Sequence, residues 1–298
     1  MNKTSICALA GAAALVAGPS AAQPNWDEVQ FETIEVAPGI AVLISGRAGN
    51  LAVSYGEDET VLIDDQFAPL TGKIQAAIAA LGAKPVDFLI NTHWHGDHTG
   101  GNENFGEAGA TIFAHHNVRA RMASEQQRGS RTIPASPEGA LPVVTYEQGV
   151  RFHLNGDTID VIFVGGGHTD GDSVVFWRED NVVHMGDLYF KIPGFPFIDV
   201  DSGGNVVDAM NSLDAVIRMI DGDTKVIPGH GPMSNKAELV AYRAMMGDAV
   251  ERVRGLVAEG KTMEEAVAAK PLADFDRGTG FIDADGFVTA IYRSLKAG

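Results

Sequence analysis

The sequence concentrates metal-ligand side chains in one short loop. His93, His95, Asp97 and His98 fall within six residues, although the chain has nine histidines in 298 residues. They directly follow the apolar segment 86–90. In extended backbone His93 and His95 point to the same side, because side chains alternate with a period of two. Asp97 and His98, in a turn, can face an adjacent position. Imidazole and carboxylate groups crowded in this way are typical of a site for zinc-like ions.

Three further ligand-type side chains lie later in the chain. Each directly follows an apolar segment and at least one glycine: His168, Asp187 and His230. The glycines permit close approach of the backbone to a bound ion. The pattern therefore predicts that the ends of several strands converge on one metal site.

Together these motifs resemble the metallo-β-lactamase superfamily. The signature His-x-His-x-Asp-His stands at residues 93–98, with Gly-Gly-His-Thr around His168, Gly-Asp at Asp187 and Pro-Gly-His-Gly around His230. An earlier family element is the segment 61–65, which closes on an acidic residue. The motifs occur in the family's order and cover nearly all of the chain after its first residues.

The resemblance implies two metal sites that share a ligand. The first site takes His93, His95 and His168, the second takes Asp97, His98 and His230, and Asp187 bridges the two. A thiolate at the position of Asp187 marks one group of β-lactamases. The carboxylate here is similar to the binuclear sites of lactonases, glyoxalase II and many generic hydrolases. The expected cofactor is two Zn²⁺ per chain, with iron or manganese as alternatives.

The implied chemistry is hydrolysis by a metal-bound hydroxide. Zinc lowers the pKa of its bound water to ~7, so hydroxide is present at neutral pH. Asp97 is expected to orient it. Tyr189 is a candidate hydrogen-bond donor to the substrate carbonyl. Lys191 lies one residue from the place where lactamases carry a lysine that binds the substrate carboxylate. The aromatic segment 190–197 is expected either to form an apolar wall beside the metals or to pack under a loop.

The first residues have the pattern of a secretory signal peptide. Lys3 precedes the apolar run 6–17, and small residues at 20–22 offer a cleavage site. The run is too short to span a bilayer. We therefore predict a leader at 1–22, one hydrolase domain at 23–298, and a periplasmic or secreted location. The single cysteine, Cys7, falls in the leader, so the mature protein has no thiolate ligand.

The amino-acid composition limits the kinds of partner that the protein is expected to bind. The formal net charge is −17, from 22 Lys and Arg against 39 Asp and Glu. Nucleic acid and anionic membrane surfaces require dense positive charge, so neither is an expected partner. The expected partner is a small-molecule substrate. The sequence does not indicate the oligomeric state.

Hydrophobic periodicity outlines the fold. Strands are predicted at 31–36, 40–45, 50–55, 60–64 and 86–90, with a second group between 143 and 187. Helices are predicted at 70–81, 116–127, 206–220, 236–258, 262–269 and 288–295, and a polar loop at 129–138. Strands and helices alternate in two similar halves, which favours two face-to-face mixed sheets with helices outside. This α+β, four-layer αββα sandwich is also the fold that the resemblance implies.

The predicted function is a periplasmic hydrolase that opens a cyclic amide such as a β-lactam. A lactonase or esterase is the first alternative, and a glyoxalase II-like thioesterase is another. Glutathione thioesters and persulfides are cytosolic compounds, so the leader disfavours a thioesterase and a related iron-dependent sulfur dioxygenase. A serine hydrolase is not indicated, because the chain has no Gly-x-Ser-x-Gly motif.

Overall fold

A computed structural model describes residues 25–46 and 48–297. The predicted leader at 1–22, with Cys7, lies outside the described residues. Within the described part, no helix has both the length and the apolar character needed to cross a bilayer.

The first half of the described chain forms a seven-stranded sheet. Its strands, in spatial order, are β1 (Glu32–Ala37), β2 (Ile40–Ile44), β3 (Leu51–Ser54), β4 (Val61–Ile63), β5 (Phe88–Asn91), β6 (Thr111–His115) and β9 (Val144–Tyr146). The first four strands pair antiparallel. The pairs from β4 to β9 are parallel, so the carboxyl ends of β4 and β5 lie side by side.

The second half forms a six-stranded sheet. Its strands are β10 (Gly149–Leu154), β11 (Asp157–Phe163), β12 (Ser173–Trp177), β13 (Val182–His184), β14 (Lys225–Ile227) and β15 (Ser234–Asn235). Only β13 and β14 pair parallel. A small separate hairpin joins β7 (Gln126–Arg128) to β8 (Arg131–Ile133).

Eight helices accompany the sheets among the described residues. They are α1 (Thr71–Ala80), α2 (Gly96–Thr99), α3 (Asn102–Glu107), α4 (His116–Met122), α5 (Val206–Met219), α6 (Lys236–Ala258), α7 (Met263–Ala268) and α8 (Ala284–Ala297).

Strict alternation along the strands accounts for the layers. In β12, Val175 and Trp177 pack between the two sheets, whereas Val174 and Phe176 pack toward α5, α6 and α8. In the first sheet, Ile63 faces the second sheet, while its neighbour Leu62 packs toward α1. Because successive side chains of a strand point to opposite faces, fully apolar strands must be covered on both sides. The predicted αββα sandwich is confirmed.

Two regions depart from the predicted elements. Helix α3 and strand β6 were not predicted, and the second region follows them. The predicted helix 116–127 ends at Met122, and the segment predicted as a polar loop contains half of the β7–β8 hairpin. Gly129 adopts a positive φ of 58° in the two-residue turn between these strands, a conformation that glycine adopts without strain. The hairpin strands are polar and short, so hydrophobic alternation gave no indication of them.

The layer between the sheets is expected to dominate stability. Replacing the fully buried Ile63 by alanine leaves a cavity between the sheets, and we expect the free energy of unfolding to fall by about 2–5 kcal/mol. Urea titration followed by circular dichroism measures this change. Val143→Ala, at a residue that is 69% exposed, is the matched control and should leave stability within about 0.5 kcal/mol. An equal effect of the two substitutions would contradict this account of the core.

Candidate metal centre

The His-rich loop starts at the end of β5. His93 and His95 follow this strand, with extended backbone at His95, and Asp97 and His98 lie in the single turn of α2. Asn91, at the end of β5, donates a side-chain hydrogen bond of 3.3 Å to the backbone carbonyl of His98. The buried amide thereby ties the helical turn back to the strand that delivers it.

Two glycines allow the other ligand-type residues to approach this loop. Gly167 precedes His168 with φ 139°, and a Cβ atom there would lie 2.3 Å from the Cα of Ala209 in α5. Gly229 precedes His230, and a Cβ atom there would lie 2.1 Å from Oδ1 of Asp187. Only glycine permits this packing, because real Cβ contacts are never so short.

Four side-chain atoms form the first set. Nδ1 of His95 lies 3.2 Å from Nε2 of His93 and 2.9 Å from Nε2 of His168. Oδ2 of Asp187 lies 3.7 Å from Nε2 of His93 and 3.5 Å from Nε2 of His168. All four residues are buried.

The second set surrounds the other oxygen of the same carboxylate. Oδ1 of Asp187 lies 3.2 Å from Nε2 of His98 and 3.3 Å from Nε2 of His230. Oδ2 of Asp97 lies 3.7 Å from Nε2 of His98 and 3.4 Å from Nε2 of His230. Asp187 therefore presents one oxygen to each set.

These separations fit divalent metal ions. Zinc–ligand distances of ~2.0–2.1 Å in a tetrahedron place neighbouring ligand atoms ~3.3 Å apart, within the range found in both sets. Nε2 of His98 and Oδ1 of Asp187 are buried and have no hydrogen-bond partner among the described residues. Buried polar atoms of native proteins are nearly always satisfied. Two orphaned lone pairs that face the same point are what a bound cation would satisfy.

In three of the ligand histidines, His95, His98 and His168, a hydrogen-bond partner holds the outward-facing ring nitrogen. Nδ1 of His98 lies 2.7 Å from the Asp64 carboxylate, and Nε2 of His95 lies 2.8 Å from the Asp199 carboxylate. Nδ1 of His168 lies 2.7 Å from the backbone carbonyl of Phe197. Such partners fix the ring orientation and leave the opposite nitrogen free to act as a ligand.

Asp64 connects the two sets. Besides contacting His98, its carboxylate accepts hydrogen bonds of 2.7 and 2.8 Å from the backbone N–H and hydroxyl of Thr92. The Thr92 hydroxyl in turn lies 3.0 Å from Nδ1 of His93. Asp64 is fully buried and adopts φ 59°, an uncommon conformation for a residue other than glycine. One carboxylate thus positions a histidine of each set.

Burial favours the neutral, metal-binding form of the first-set histidines. Burial lowers the pKa of His93 well below its usual range and lowers that of His95 to about 4, so both rings are neutral. In the second set, Asp187 and Asp97 outweigh burial and raise the pKa of His98 above its usual range and that of His230 to about 9, so a bound cation would replace those protons. Burial acts to raise the pKa of Asp97, but His98 and His230 outweigh it and hold the pKa at about 2. Neutral imidazoles and ionised carboxylates are the ligand forms.

The comparisons with known proteins agree with this geometry. Residues 46–231 match the family model described as the metallo-beta-lactamase superfamily. The chain belongs to this superfamily. Its members are metal-dependent hydrolases, and so is this protein.

Curated relatives within the superfamily differ in their named activities. A hydroxyacylglutathione hydrolase from Methylococcus capsulatus is 27% identical over 224 residues, which are 73% of this chain and 77% of the relative. A metallo-beta-lactamase type 2 from Bacteroides fragilis is 27% identical over 154 residues, 51% of this chain and 55% of that protein. The match to the lactamase thus spans about half of each chain.

Solved structures share the fold at lower identity. A metallo-beta-lactamase from Pontibacter korlensis superimposes with a TM-score of 0.61 at 20% identity, covering 74% of this chain and all of the other. A sec-alkylsulfatase from Pseudomonas sp. gives a TM-score of 0.65 at 16% identity, covering 88% of this chain and 50% of the other. At these identities the likeness supports the fold alone.

The structure does not bring Tyr189 or Lys191 to the metal centre of this superfamily member. The Tyr189 hydroxyl lies 2.9 Å from the Ser234 hydroxyl, and the ring is 2% exposed in the core under α6. The Lys191 ammonium donates to the carbonyl of Met233 and to the carboxylate of Glu238. The structure therefore does not support the predicted contacts of Tyr189 and Lys191 with a substrate. Residues 189–191 are extended, and alternation turns the intervening residue toward the site instead.

The predicted aromatic wall is only partly present. Phe190 stacks on His230, and Phe197 stacks on His95, with ring centroids 5.5 and 5.7 Å apart. Both line the cavity above the two sets, whereas Phe195 packs against Phe287 in the helical core.

A cavity of about 720 Å³ opens over the metal centre. Trp94 and Phe281 add aromatic surface to it, and Arg128 and Arg131 of the β7–β8 hairpin add positive charge. Sequence reasoning missed these residues and Asp199, because no motif or periodicity singles them out. Their separation in the chain conceals their proximity in the fold.

Replacing Asp64 by asparagine tests how the ligands are positioned. The side chain keeps its shape, but one acceptor oxygen becomes a donor that faces other donors, so both sets lose alignment. We expect zinc affinity to fall about 10–100-fold, the usual effect of losing such a partner. Competition with a chromophoric chelator measures the affinity. Asp58→Asn, in an exposed turn, is the control. A folded Asp64 variant with unchanged affinity would show that Asp64 does not position the ligands.

Proposed function

We propose that the protein is a binuclear zinc hydrolase that opens β-lactams and related cyclic or acyclic carbonyl substrates. The observation that carries the proposal is the Asp187 carboxylate, whose two oxygens face the two ligand sets. A shared carboxylate holds two ions close enough to act on one substrate. Zinc suits these nitrogen and oxygen donors, and iron or manganese are the alternatives.

The paired ions would supply a hydroxide nucleophile at neutral pH and polarise the substrate carbonyl. The residues of the chain would hold the ions and orient the nucleophile. Oδ2 of Asp97 lies between His98 and His230, and its side chain is 29% exposed toward the cavity. Because its pKa is held at about 2, Asp97 is ionised at neutral pH. It can therefore accept a hydrogen bond from the attacking water and orient it.

The walls of the cavity would orient the substrate. Trp94, Phe190 and Phe197 provide apolar surface directly beside the ligand sets. These aromatic groups exclude bulk water from the apolar side of a bound substrate, which strengthens electrostatic contacts within the site. A cavity of this size accepts a bicyclic lactam or an acylated lactone.

A thioesterase is the second candidate function. The relative from Methylococcus capsulatus, named as a hydroxyacylglutathione hydrolase, matches 73% of this chain. A shared carboxylate ligand is compatible with that reaction. The predicted leader argues for lactams and lactones, since these compounds are met outside the cytoplasm. A periplasmic or secreted location belongs to this proposal and rests on residues 1–22 alone.

The metal content follows from the two ligand sets. Seven side chains are too many for one tetrahedral centre, so we expect two zinc ions per chain after gentle purification. Elemental analysis against protein concentration measures the ratio. Substituting His98→Ala in the second set should reduce the ratio to one. A ratio of one in the unaltered protein, even with added zinc, would contradict the binuclear proposal.

A substrate panel tests the reaction. A chromogenic cephalosporin, an acyl-homoserine lactone and a hydroxyacylglutathione are offered to the purified protein in parallel. We expect turnover of the first and weaker turnover of the second. Asp97→Ala should lower kcat/KM by about a hundredfold or more, because it removes the group that orients the nucleophile. Asp208→Ala, on the exposed side of α5, is the control. Turnover of the thioester alone would favour the second candidate.

A further inference from the structure

One wall of the cavity is positively charged, although the protein as a whole carries a negative net charge. Three arginines line the cavity, Arg121, Arg128 and Arg131, whereas Glu103 is the one acidic lining residue outside the two ligand sets. This local excess of positive charge occurs in a chain whose net charge is −17. A cleft lined by one sign of charge attracts ligands of the opposite sign.

Only two of these arginines are available to a ligand. Arg121 forms paired hydrogen bonds of 2.7 Å with both carboxylate oxygens of Asp170, so its charge is already matched. Arg131, on β8, has no ion pair or side-chain hydrogen bond with any described residue.

Arg128 is held in place but not satisfied. Its guanidinium carbon lies 5.6 Å from the centre of the Phe197 ring. Its Nη1 atom lies 3.8 Å from Oδ2 of Asp199, which is too far for a hydrogen bond. That oxygen is already 2.8 Å from Nε2 of His95 and 2.8 Å from the Ser202 hydroxyl. Arg128 therefore forms an ion pair with Asp199 but donates no hydrogen bond to any described residue, which leaves its donors beside the first ligand set open to a ligand.

We infer that Arg128 and Arg131 bind a carboxylate of the substrate. The Lys191 ammonium is turned away and is bound to Glu238. A planar guanidinium matches a carboxylate with two parallel hydrogen bonds. The substrate class is thus narrowed to anionic carbonyl compounds. This inference rests on the proposed hydrolytic function.

The aromatic surface next to Arg128 adds a second requirement. Phe281 is 76% exposed at the cavity mouth, and its ring meets that of Phe197 edge to face at 5.6 Å. An exposed aromatic side chain in this position is available to cover an apolar group. The preferred substrate therefore carries an apolar group beside its carboxylate.

A matched pair of substrates tests the inference. One is a chromogenic cephalosporin with its free ring carboxylate, and the other is the methyl ester of the same compound. Arg128→Gln and Arg131→Gln should each lower kcat/KM for the acid roughly ten- to hundredfold, the usual range for a hydrogen bond to a charged group. The methyl ester should change less than about threefold. Arg128→Lys should recover part of the loss, since it restores the charge. Arg254→Gln, on the exposed side of α6, controls for the change in net charge.

The neutral substrate separates recognition from structure. Arg128 lies near Asp199, the partner of His95, so a merely structural role would lower the rates for acid and ester equally. Equal losses in both arginine variants, or no loss in either, would overturn the inference.

Binding of a non-reactive probe distinguishes this inference from the proposed function. Calorimetric titration compares 4-phenylbutyrate with the neutral 4-phenylbutyramide on the zinc-loaded protein. We expect tighter binding of the carboxylate, and loss of that preference in Arg128→Gln/Arg131→Gln. If no substrate is hydrolysed but the preference depends on the arginines, the proposed function fails and the anion site stands. If substrates are hydrolysed and the arginines do not affect the preference, the anion site fails.

Discussion

The structure depends on one constraint, which is that seven ligand-type groups, five of them buried, must direct their lone pairs toward two common points. In the first set, neutral imidazoles bring lone pairs to within 2.9–3.2 Å of one another, which is unfavourable for these groups alone. In the second set, protons on His98 and His230 offset the charge of the carboxylates. A divalent cation in each set would replace this repulsion or these protons with coordination. The surrounding chain contributes hydrogen bonds that orient the histidine rings and glycines that let the ligand-bearing loops approach one another. Asp64 is the clearest case, because it orients a ring of each set while lying outside both.

The two sheets make this convergence possible. The parallel pair β4–β5 delivers Asp64 and the His-rich loop at one edge, and the parallel pair β13–β14 delivers Asp187 and His230 at the facing edge. Carboxyl ends of neighbouring parallel strands meet at the same edge of a sheet, so each half of the molecule brings its ligands to a single line. The inter-sheet layer, with Ile63 and Val175, keeps the two lines in register. In this fold, the packing between the sheets therefore also fixes the geometry of the metal centre.

The parts that were predictable from sequence are those with a local chemical or periodic pattern. The helix 236–258 was predicted with the boundaries that α6 has, because its apolar positions recur at helical spacing and polar turns bound it. Four ligand-type residues were recognisable from their clustering at 93–98, and the other three because each follows an apolar segment and a glycine. The predicted contacts of Tyr189 and Lys191 with the substrate were wrong. Side chains alternate between two directions after the turn at 186–188, so a shift of one residue decides which of them face the metal centre. The β7–β8 hairpin escaped notice because its polar strands carry no apolar period.

The same contrast explains where specificity resides. The ligand sets are built from short-range motifs and suit any carbonyl substrate, so they do not by themselves separate a lactam from a thioester. Selectivity must come from the cavity wall, where Arg128, Arg131 and Phe281 are brought in by segments far apart in the chain. These segments lie outside the sheets that hold the ligands, so they can change without disturbing the metal geometry. A superfamily with one metal centre and relatives of different named activities is what this separation of reactivity from recognition would produce.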